Sequence, residues 1–180
     1  MEAKRNYAFL DGANLYLGIR DLGWNLDYKK FREFLSIKYN VEKAYLFLGN
    51  VPRFNFLYKS LQEKGYILIL KPTIPNEKDE LKGNVDADLV LQTMIDYNNY
   101  RKAIIVSGDG DFYSLVRHLC LNGKMLRVIA PNKEQSSCLL RKEAGGYIIF
   151  LDQFKEKLQF IKIKNTANKK SDPLARPRFS

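Results

Sequence analysis

Cysteine and histidine are scarce in this sequence, with two cysteines and one histidine among 180 residues. Two cysteines are too few for the disulfide framework of a small secreted domain, or for a zinc site with four thiolate ligands. They predict two buried thiols in a reducing cytoplasm. Glycine and proline are also few, at 11 and 6 residues, and 46% of the chain is hydrophobic, so the composition excludes collagen-like and disordered chains.

Long apolar runs are absent as well. No run approaches the length of a membrane span, and the N-terminal residues lack the apolar core of a signal peptide. We therefore expect a cytoplasmic protein with no membrane partner. A chain of 180 residues is close to the size of one domain of about 150 residues. We expect a domain over residues 1–160 and a basic tail over residues 161–180.

Positive charge is abundant, with 30 Lys and Arg against 20 Asp and Glu. The resulting net charge of +10 attracts polyanions, with RNA, DNA and anionic membranes as candidates. Half of this charge lies in residues 161–180, which hold six Lys or Arg and one Asp. We interpret the segment from Asn165 onward as a flexible tail, which serves either as an arm that captures RNA or merely as a solvating segment.

Short apolar runs alternate with amphipathic segments along the chain. The runs lack polar alternation, which is typical of strands buried on both faces; they cover residues 7–10, 44–48, 66–70, 103–106, 125–129 and 147–150. Helical periodicity covers residues 28–37, 52–64, 86–97, 112–121 and 135–144. This alternation predicts an α/β fold, a three-layer α/β/α sandwich with a central, mainly parallel sheet.

One connection, residues 71–83, is too long for a routine link, and we interpret it as a mobile flap. Its Lys71, Lys78 and Lys82 are predicted to bind substrate phosphates without reading base sequence. Aromatic rings can also stack on bases. The candidates for stacking are Tyr16, Tyr97 and Tyr100. In a chain with 11 tyrosines, however, core packing is the better interpretation of each.

Aspartates cluster at one predicted edge of the sheet, because loops at the carboxyl ends of parallel strands share that edge. They are Asp11 after the first strand, Asp86 and Asp88 at the start of a helix, and Asp109 and Asp111 after the fourth strand. Like charges about 4 Å apart repel by roughly 4 kcal/mol at an effective dielectric of 20, so the cluster requires protonation or a cation. Each aspartate alone also suits a helix cap or a turn. Their coincidence, without His or Cys, favours Mg²⁺ or Mn²⁺.

Three segments resemble the signatures of the NYN domain, a PIN-like nuclease family, and within it the LabA-like group. They read FLDGANL at residues 9–15, KGNVD at 82–86 and VSGDGDF at 106–112. The resemblance spans residues 7–150. It implies a PIN-like sandwich in which the first and fourth strands are adjacent, and the activity of a metal-dependent ribonuclease, expected to act as an endonuclease.

The resemblance also implies roles for individual residues. It assigns catalysis and metal binding to four acids: Asp11, Asp86, Asp109 and Asp111. Asn14 would orient Asp11 or a metal-bound water, and Ser107 would support a ligand or a phosphate. Asp88 is an additional acid that we count among the metal ligands. Relatives often have another acid where this chain has Gln92, which leaves open whether the site holds one metal ion or two.

Other functional classes fit less well. A dinucleotide site lacks its third glycine, because Gly108 and Gly110 are followed by Tyr113. A receiver or phosphatase needs paired acids after the first strand, whereas this chain has Asp11 alone. The alternative that stays open is a catalytically weak or inactive NYN module that binds RNA or a protein partner. A homodimer is an expectation from the resemblance alone.

Overall fold

The computed structural model describes residues 5–72, 74–75, 81–82 and 85–161, with 74–75 and 81–82 as backbone alone. Several predictions from the sequence fall on other residues. Lys78, the side chain of Lys82, most of the proposed flap and residues 162–180 of the tail lie outside the described residues.

Strands and helices alternate along the described chain. The strands are β1 (Asn6–Asp11), β2 (Val41–Asn50), β3 (Ile67–Pro72), β4 (Ile74–Pro75), β5 (Leu81–Lys82), β6 (Ala103–Val106), β7 (Met125–Ala130) and β8 (Ile148–Phe150). The helices are α1 (Gly12–Asp21), α2 (Tyr28–Tyr39), α3 (Asn55–Glu63), α4 (Asp86–Ile95), α5 (Tyr113–Leu121), α6 (Cys138–Ala144) and α7 (Lys155–Leu158). None of these helices is long and apolar enough to cross a membrane.

The central sheet has six strands in the order β3-β2-β1-β6-β7-β8, and every neighbouring pair is parallel. All six predicted strands are present, and the α/β fold class is confirmed. The first and fourth strands of this sheet, β1 and β6, are adjacent, as the resemblance implied. Strands β4 and β5 form a separate antiparallel pair within the segment that was interpreted as a flap.

Two apolar cores cover the two faces of the sheet, because successive side chains of a strand point to opposite faces. Tyr7 and Phe9 of β1 pack with the buried residues of α4, α5 and α6. Ala8 and Leu10 pack with those of α1, α2 and α7. Asp11 is two residues beyond Phe9, so the strand period directs it to the face covered by α4. This placement brings a carboxylate to the start of that helix.

Local signals explain where most helices begin and end. The carboxylate of Asp27 accepts hydrogen bonds from the backbone N–H groups of Lys29 and Lys30 at 3.0 and 3.2 Å, which caps α2 as expected. Helix α2 ends at Tyr39, and the next residue, Asn40, has a left-handed backbone conformation with a φ of 52°. Pro52 opens a short 3-10 turn, and α3 follows it only from Asn55.

Two expectations from the sequence are wrong. The helix predicted over 135–144 begins at Cys138, because Ser137 caps it and Gln135 is held in a turn by the Asn132 carboxamide, which accepts its backbone N–H at 2.7 Å. The thiols are not both buried: Cys120 is half-buried and Cys138 is exposed.

Helix α1 was not predicted from the sequence, because Gly12 and Gly18 weaken its helical signal. Gly18 is required there, since a Cβ would lie 2.5 Å from Pro131.

Candidate functional site

Two buried polar side chains meet where β1 and β6 end. Leu10 is paired with Val106 across these parallel strands, so the next residues, Asp11 and Ser107, are neighbours at the carboxyl edge. The Ser107 hydroxyl donates a hydrogen bond to Asp11 Oδ2 at 3.3 Å. Asp11 is 5% exposed and Ser107 is fully buried. Burial makes this pair rigid, because neither group has water as an alternative partner.

The first turn of α1 links this pair to the loop after β6. Asp11 caps the helix, since its Oδ1 accepts a hydrogen bond from the backbone N–H of Asn14 at 3.1 Å. The carboxamide oxygen of Asn14 accepts a hydrogen bond from the backbone N–H of Gly108 at 2.8 Å. Asn14 therefore contacts Asp11 through its backbone and joins α1 to the β6 loop through its side chain.

The loop after β6 is tightly folded by its own side chains. Ser107 Oγ accepts a hydrogen bond from the backbone N–H of Asp109 at 3.1 Å, and Asp109 Oδ1 accepts one from the backbone N–H of Asp111 at 3.0 Å. Gly110 is needed between them, because a Cβ there would lie 2.5 Å from the Ser137 hydroxyl at the start of α6. Ser107 thus positions both Asp11 and Asp109.

Three carboxylates converge beside this loop. Asp86 in the first turn of α4, Asp109 and Asp111 each offer one oxygen, and these oxygens lie within 4.8 Å of one another. Opposite oxygens around Mg²⁺ are about 4.2 Å apart at bond lengths of about 2.1 Å. A small closure of the three side chains would therefore accommodate such a cation. The three carboxylates could hold a metal ion, and their role as metal ligands stays a prediction.

Burial and the neighbouring carboxylates together shift the pKa of Asp11. Burial raises its pKa, and the charges of Asp86 and Asp109 raise it further, whereas hydrogen bonds from Asn14 and Ser107 lower it. The net result is a pKa of about 6, above its ordinary value of 3.8. A carboxyl group with such a pKa is neutral in part of the protein near pH 6. A cation next to it would favour the ionised form.

Asp88 is oriented away from the three-carboxylate group. It follows Asp86 by two residues, or roughly 200° around the helix. Its Oδ2 forms an ion pair with Lys71 Nζ at 3.0 Å, and both side chains are about one-third exposed, at 37% and 35%. The structure thus pairs Asp88, which was predicted to bind metal, with Lys71, which was predicted to bind a phosphate. Asp88 does not belong to the group formed by Asp86, Asp109 and Asp111.

Gln92 lies farther along α4, about 9 Å from Asp86 along the helix axis. Its amide donates a hydrogen bond to Asp96 Oδ2 at 2.9 Å. Burial raises the pKa of Asp96, but hydrogen bonds from Asn99, Gln92 and Tyr45 outweigh burial and leave the pKa below its usual value. A carboxylate at position 92 would face this ionised group. The local partner therefore explains why an amide is compatible with this position.

The tyrosines weighed for base stacking are largely occupied in packing. Tyr100 is fully buried and donates a hydrogen bond from its hydroxyl to the Thr93 carbonyl at 3.1 Å. Tyr97 is half-buried, and the centre of its ring lies 5.7 Å from that of His118, the single histidine. Tyr16 is half-buried, and it adds to the effect of burial, the larger cause, in raising the pKa of Tyr28. Core packing is the interpretation that these positions support.

A groove of about 310 Å³ opens beside the site, between α1 and the chain after β7. Sequence reasoning did not identify it, because its lining comes from three separate segments and carries no local motif. The lining residues are Asn14, Leu17, Gly18, Asp21, Gly108, Pro131 and Gln135. Asn14 and Gly108 belong to both the groove and the hydrogen-bonded loop, so a bound molecule in the groove would touch the site.

Comparison with known proteins supports this description. The model of the NYN domain family matches residues 6–152, which include all five aspartates of the predicted cluster. No curated protein matches the sequence. The LabA-like assignment is not addressed by these comparisons and stays a prediction.

Two solved structures are similar to this chain. A protein of unknown function from Vibrio parahaemolyticus has a TM-score of 0.69 and 24% identity, over 89% of this chain and 100% of its own. At this identity the likeness shows the fold alone. A PLP-bound protein from Clostridium difficile, described as an aminotransferase, has a TM-score of 0.28 and 9% identity, over 66% of this chain and 34% of its own. A TM-score this low is evidence of neither a shared fold nor a shared function.

Proposed function

Because the chain belongs to the NYN domain family, we propose that it is a metal-dependent ribonuclease that hydrolyses RNA phosphodiester bonds, acting as an endonuclease. The NYN domain lies within a nuclease superfamily. The observation that carries the proposal is the convergence of Asp86, Asp109 and Asp111, whose carboxylate oxygens lie within 4.8 Å of one another at the carboxyl edge of the sheet.

The donor set suits Mg²⁺ or Mn²⁺. All three groups are carboxylates, and neither histidine nor cysteine belongs to the group formed by the described residues. Hard oxygen donors favour these ions over zinc. Asp86, Asp109 and Asp111 would hold the ion. When bound, such an ion polarises a phosphodiester and makes a water molecule more nucleophilic.

The residues around the carboxylates have positioning roles in this proposal. Ser107 fixes the orientation of Asp11 and of the Asp109 backbone. Asn14 holds the β6 loop against α1 through Gly108. Asp11 adds a fourth negative charge where it is ionised, and its pKa of about 6 is raised by burial first and then by the charges of Asp86 and Asp109. Hydrolysis of this class leaves a 5′-phosphate and a 3′-hydroxyl on the products.

RNA is the substrate that we propose, and the charge distribution suits a polyanion of this kind. The net charge of +10 attracts the phosphate backbone, while the carboxylates concentrate negative charge at one edge. We propose Lys71, Lys78 and Lys82 as phosphate contacts, with Lys71 exchanging its ion pair with Asp88 for a phosphate. Residues 161–180 would add a basic arm. A homodimer and a cytoplasmic location are part of the same proposal.

A second candidate function is a catalytically weak or inactive module that binds RNA or a protein partner. The observation that favours it is Gln92, which stands where the resemblance implies an acid and which donates a hydrogen bond to Asp96. The two candidates share the fold and the basic charge, and they differ in whether RNA is cut; the second also allows a protein partner in place of RNA.

One experiment separates the candidates. Purified protein is incubated with 5′-labelled single-stranded and hairpin RNA in Mn²⁺, Mg²⁺ or EDTA, and the products are resolved on a gel. We expect cleavage with either metal, none in EDTA, and at least a hundredfold slower cleavage by Asp109→Asn. Glu42→Gln, which removes an exposed charge at the start of β2, is the matched control. RNA that is bound but not cut would favour the second candidate.

A further inference from the structure

The turn between β2 and α3 rises above the edge that carries the carboxylates. Asp11, the last residue of β1, pairs with Phe47, and β2 continues three residues farther to Asn50. At about 3.3 Å per residue, the turn begins about 10 Å beyond the level of Asp11. Because β1 and β2 are neighbours, a polymer that reaches the carboxylates can also reach this turn.

Aromatic and basic side chains are presented together on this turn. The guanidinium of Arg53 lies 5.0 Å from the centre of the Phe54 ring. Phe56, in the first turn of α3, is 83% exposed. Helical side chains lean toward the helix N-terminus, so Phe56 leans toward the carboxyl edge of the sheet. We call Arg53, Phe54 and Phe56 the β2–α3 platform.

The platform is rigidly supported from below. Tyr58 is 6% exposed, and its hydroxyl accepts a hydrogen bond from the backbone N–H of Val51 at 2.9 Å and donates one to the Gly49 carbonyl at 2.7 Å. Pro52 fixes the backbone at the start of the turn. A surface that is formed in advance loses little conformational entropy when a ligand binds to it.

Charge indicates the class of ligand. Residues 49–60 contain Arg53 and Lys59 and no acidic residue. A single exposed aromatic side chain is ordinary on a protein surface. An exposed phenylalanine two residues after an arginine–aromatic pair, however, combines a stacking surface with a phosphate partner, which is the combination that binds single-stranded nucleic acid.

We propose that the β2–α3 platform binds single-stranded RNA by stacking Phe56 on an unpaired base and placing Arg53 against a phosphate. This inference rests on the proposed function, because it assigns the platform to the same substrate. The offset of about 10 Å along the strand direction from the level of Asp11 is short enough for one RNA strand to reach both the platform and the carboxylates. Bases within a duplex already stack on each other, so the platform selects unpaired RNA.

Binding without hydrolysis tests the proposal. The probe is a fluorescent 12-nucleotide oligoadenylate, titrated with full-length protein in EDTA, with a 12-base-pair RNA duplex measured in parallel. We expect Phe56→Ala and Phe56→Leu to weaken oligoadenylate binding by about 5- to 100-fold, as for the loss of one stacked base. Phe56→Trp retains the affinity. Duplex binding is unchanged in all three variants.

Two further variants complete the design. Arg53→Ala should lower the slope of log affinity against log salt by about 0.7, the value for one phosphate contact to a single strand. Ile37→Ala is the control, because Ile37 is also highly exposed, at 86%, but lies near the amino ends of the strands. It should bind oligoadenylate as the wild type does.

The outcomes distinguish the two proposals. Oligoadenylate binding that is unaffected by Phe56→Ala, or absent from the wild type, overturns the platform whether or not RNA is cleaved. Binding that depends on Phe56, without cleavage in Mn²⁺ or Mg²⁺, supports the platform and contradicts the nuclease. Equal losses for oligoadenylate and duplex, or a loss of affinity in Phe56→Trp, also overturn stacking on unpaired bases.

Discussion

The Ser107 hydroxyl donates a hydrogen bond of 3.3 Å to Asp11 across the β1–β6 junction, and it accepts one of 3.1 Å from the backbone N–H of Asp109. One small side chain therefore positions two of the aspartates to which the family resemblance assigns catalysis. It can do so because the strand register makes it the neighbour of Asp11 and because the chain turns back immediately after it.

Replacing Ser107 with alanine should impair the site without removing a carboxylate. The hydrogen bond to Asp11 lowers its pKa, so Ser107→Ala should move the acidic limb of the pH–activity profile upward. Loss of the buried hydrogen bonds should lower the free energy of unfolding by about 1–3 kcal/mol. Ser114→Ala, on the exposed side of α5, is the control. An unchanged pH profile would contradict the role of Ser107.

Replacing Asp11 with asparagine should stabilise the protein near neutral pH in EDTA. The pKa of Asp11 is raised to about 6 from 3.8, so its ionised form is less favourable in the folded state than in the unfolded state. The resulting destabilisation is absent below pH 4, develops between pH 4 and 6, and is complete above pH 6. The difference between a pKa of 3.8 and one of about 6 limits this destabilisation to about 3 kcal/mol.

Urea unfolding at pH 4 and pH 7.5 measures this effect. Asp11→Asn should unfold with a free energy about 1–3 kcal/mol higher than the wild type at pH 7.5 and nearly equal at pH 4. Glu42→Gln, an exposed acid, should show no such dependence. Stabilisation that is equal at both pH values would mean that ionisation of Asp11 is not its cause.

Metal binding should raise the thermal stability of the wild type. A ligand at 100 times its Kd stabilises the folded state by about 2.7 kcal/mol, which corresponds to roughly 5–10 °C for a chain of this size. Asp86→Asn and Asp109→Asn should lose most of the shift produced by Mn²⁺. Asp88→Asn should retain it, because Asp88 is paired with Lys71 rather than placed in the three-carboxylate group.

Differential scanning fluorimetry over a titration of Mn²⁺ checks this prediction, with EDTA as the reference condition. An equal loss of the shift in Asp88→Asn and Asp86→Asn would mean that Asp88 leaves Lys71 to join the metal. If Asp109→Asn kept the full increase in melting temperature that Mn²⁺ produces, the metal would bind at another site.

Replacing Gln92 with glutamate should destabilise the protein rather than improve the metal site. Gln92 donates a hydrogen bond to Asp96, whose pKa is below its usual value, so a carboxylate at position 92 would repel an ionised neighbour. We expect a loss of about 1–3 kcal/mol at pH 7, relieved when acid protonates the pair. Gln62→Glu, exposed on α3, is the control. Equal stability together with tighter Mn²⁺ binding would contradict this account.

Periodicity was a sufficient guide to most of the fold. The uninterrupted apolar runs identified all six strands of the sheet, because strands buried on both faces have no polar alternation. The acids were identified for a similar reason, since residues that follow parallel strands necessarily share one edge. The start of α6 was not identifiable, because the turn that holds Gln135 depends on the side chain of Asn132.

The sequence by itself determined the α/β class, the basic character of the chain and the presence of aspartates at one edge of the sheet, because these follow from strand periodicity, charge and order along the chain. Only the tertiary structure decided which aspartates meet. It grouped Asp86, Asp109 and Asp111, and it paired Asp88 with Lys71. The physical reason is that helix rotation and strand register, which no local pattern specifies, decide whether two carboxylates share an ion or face different partners.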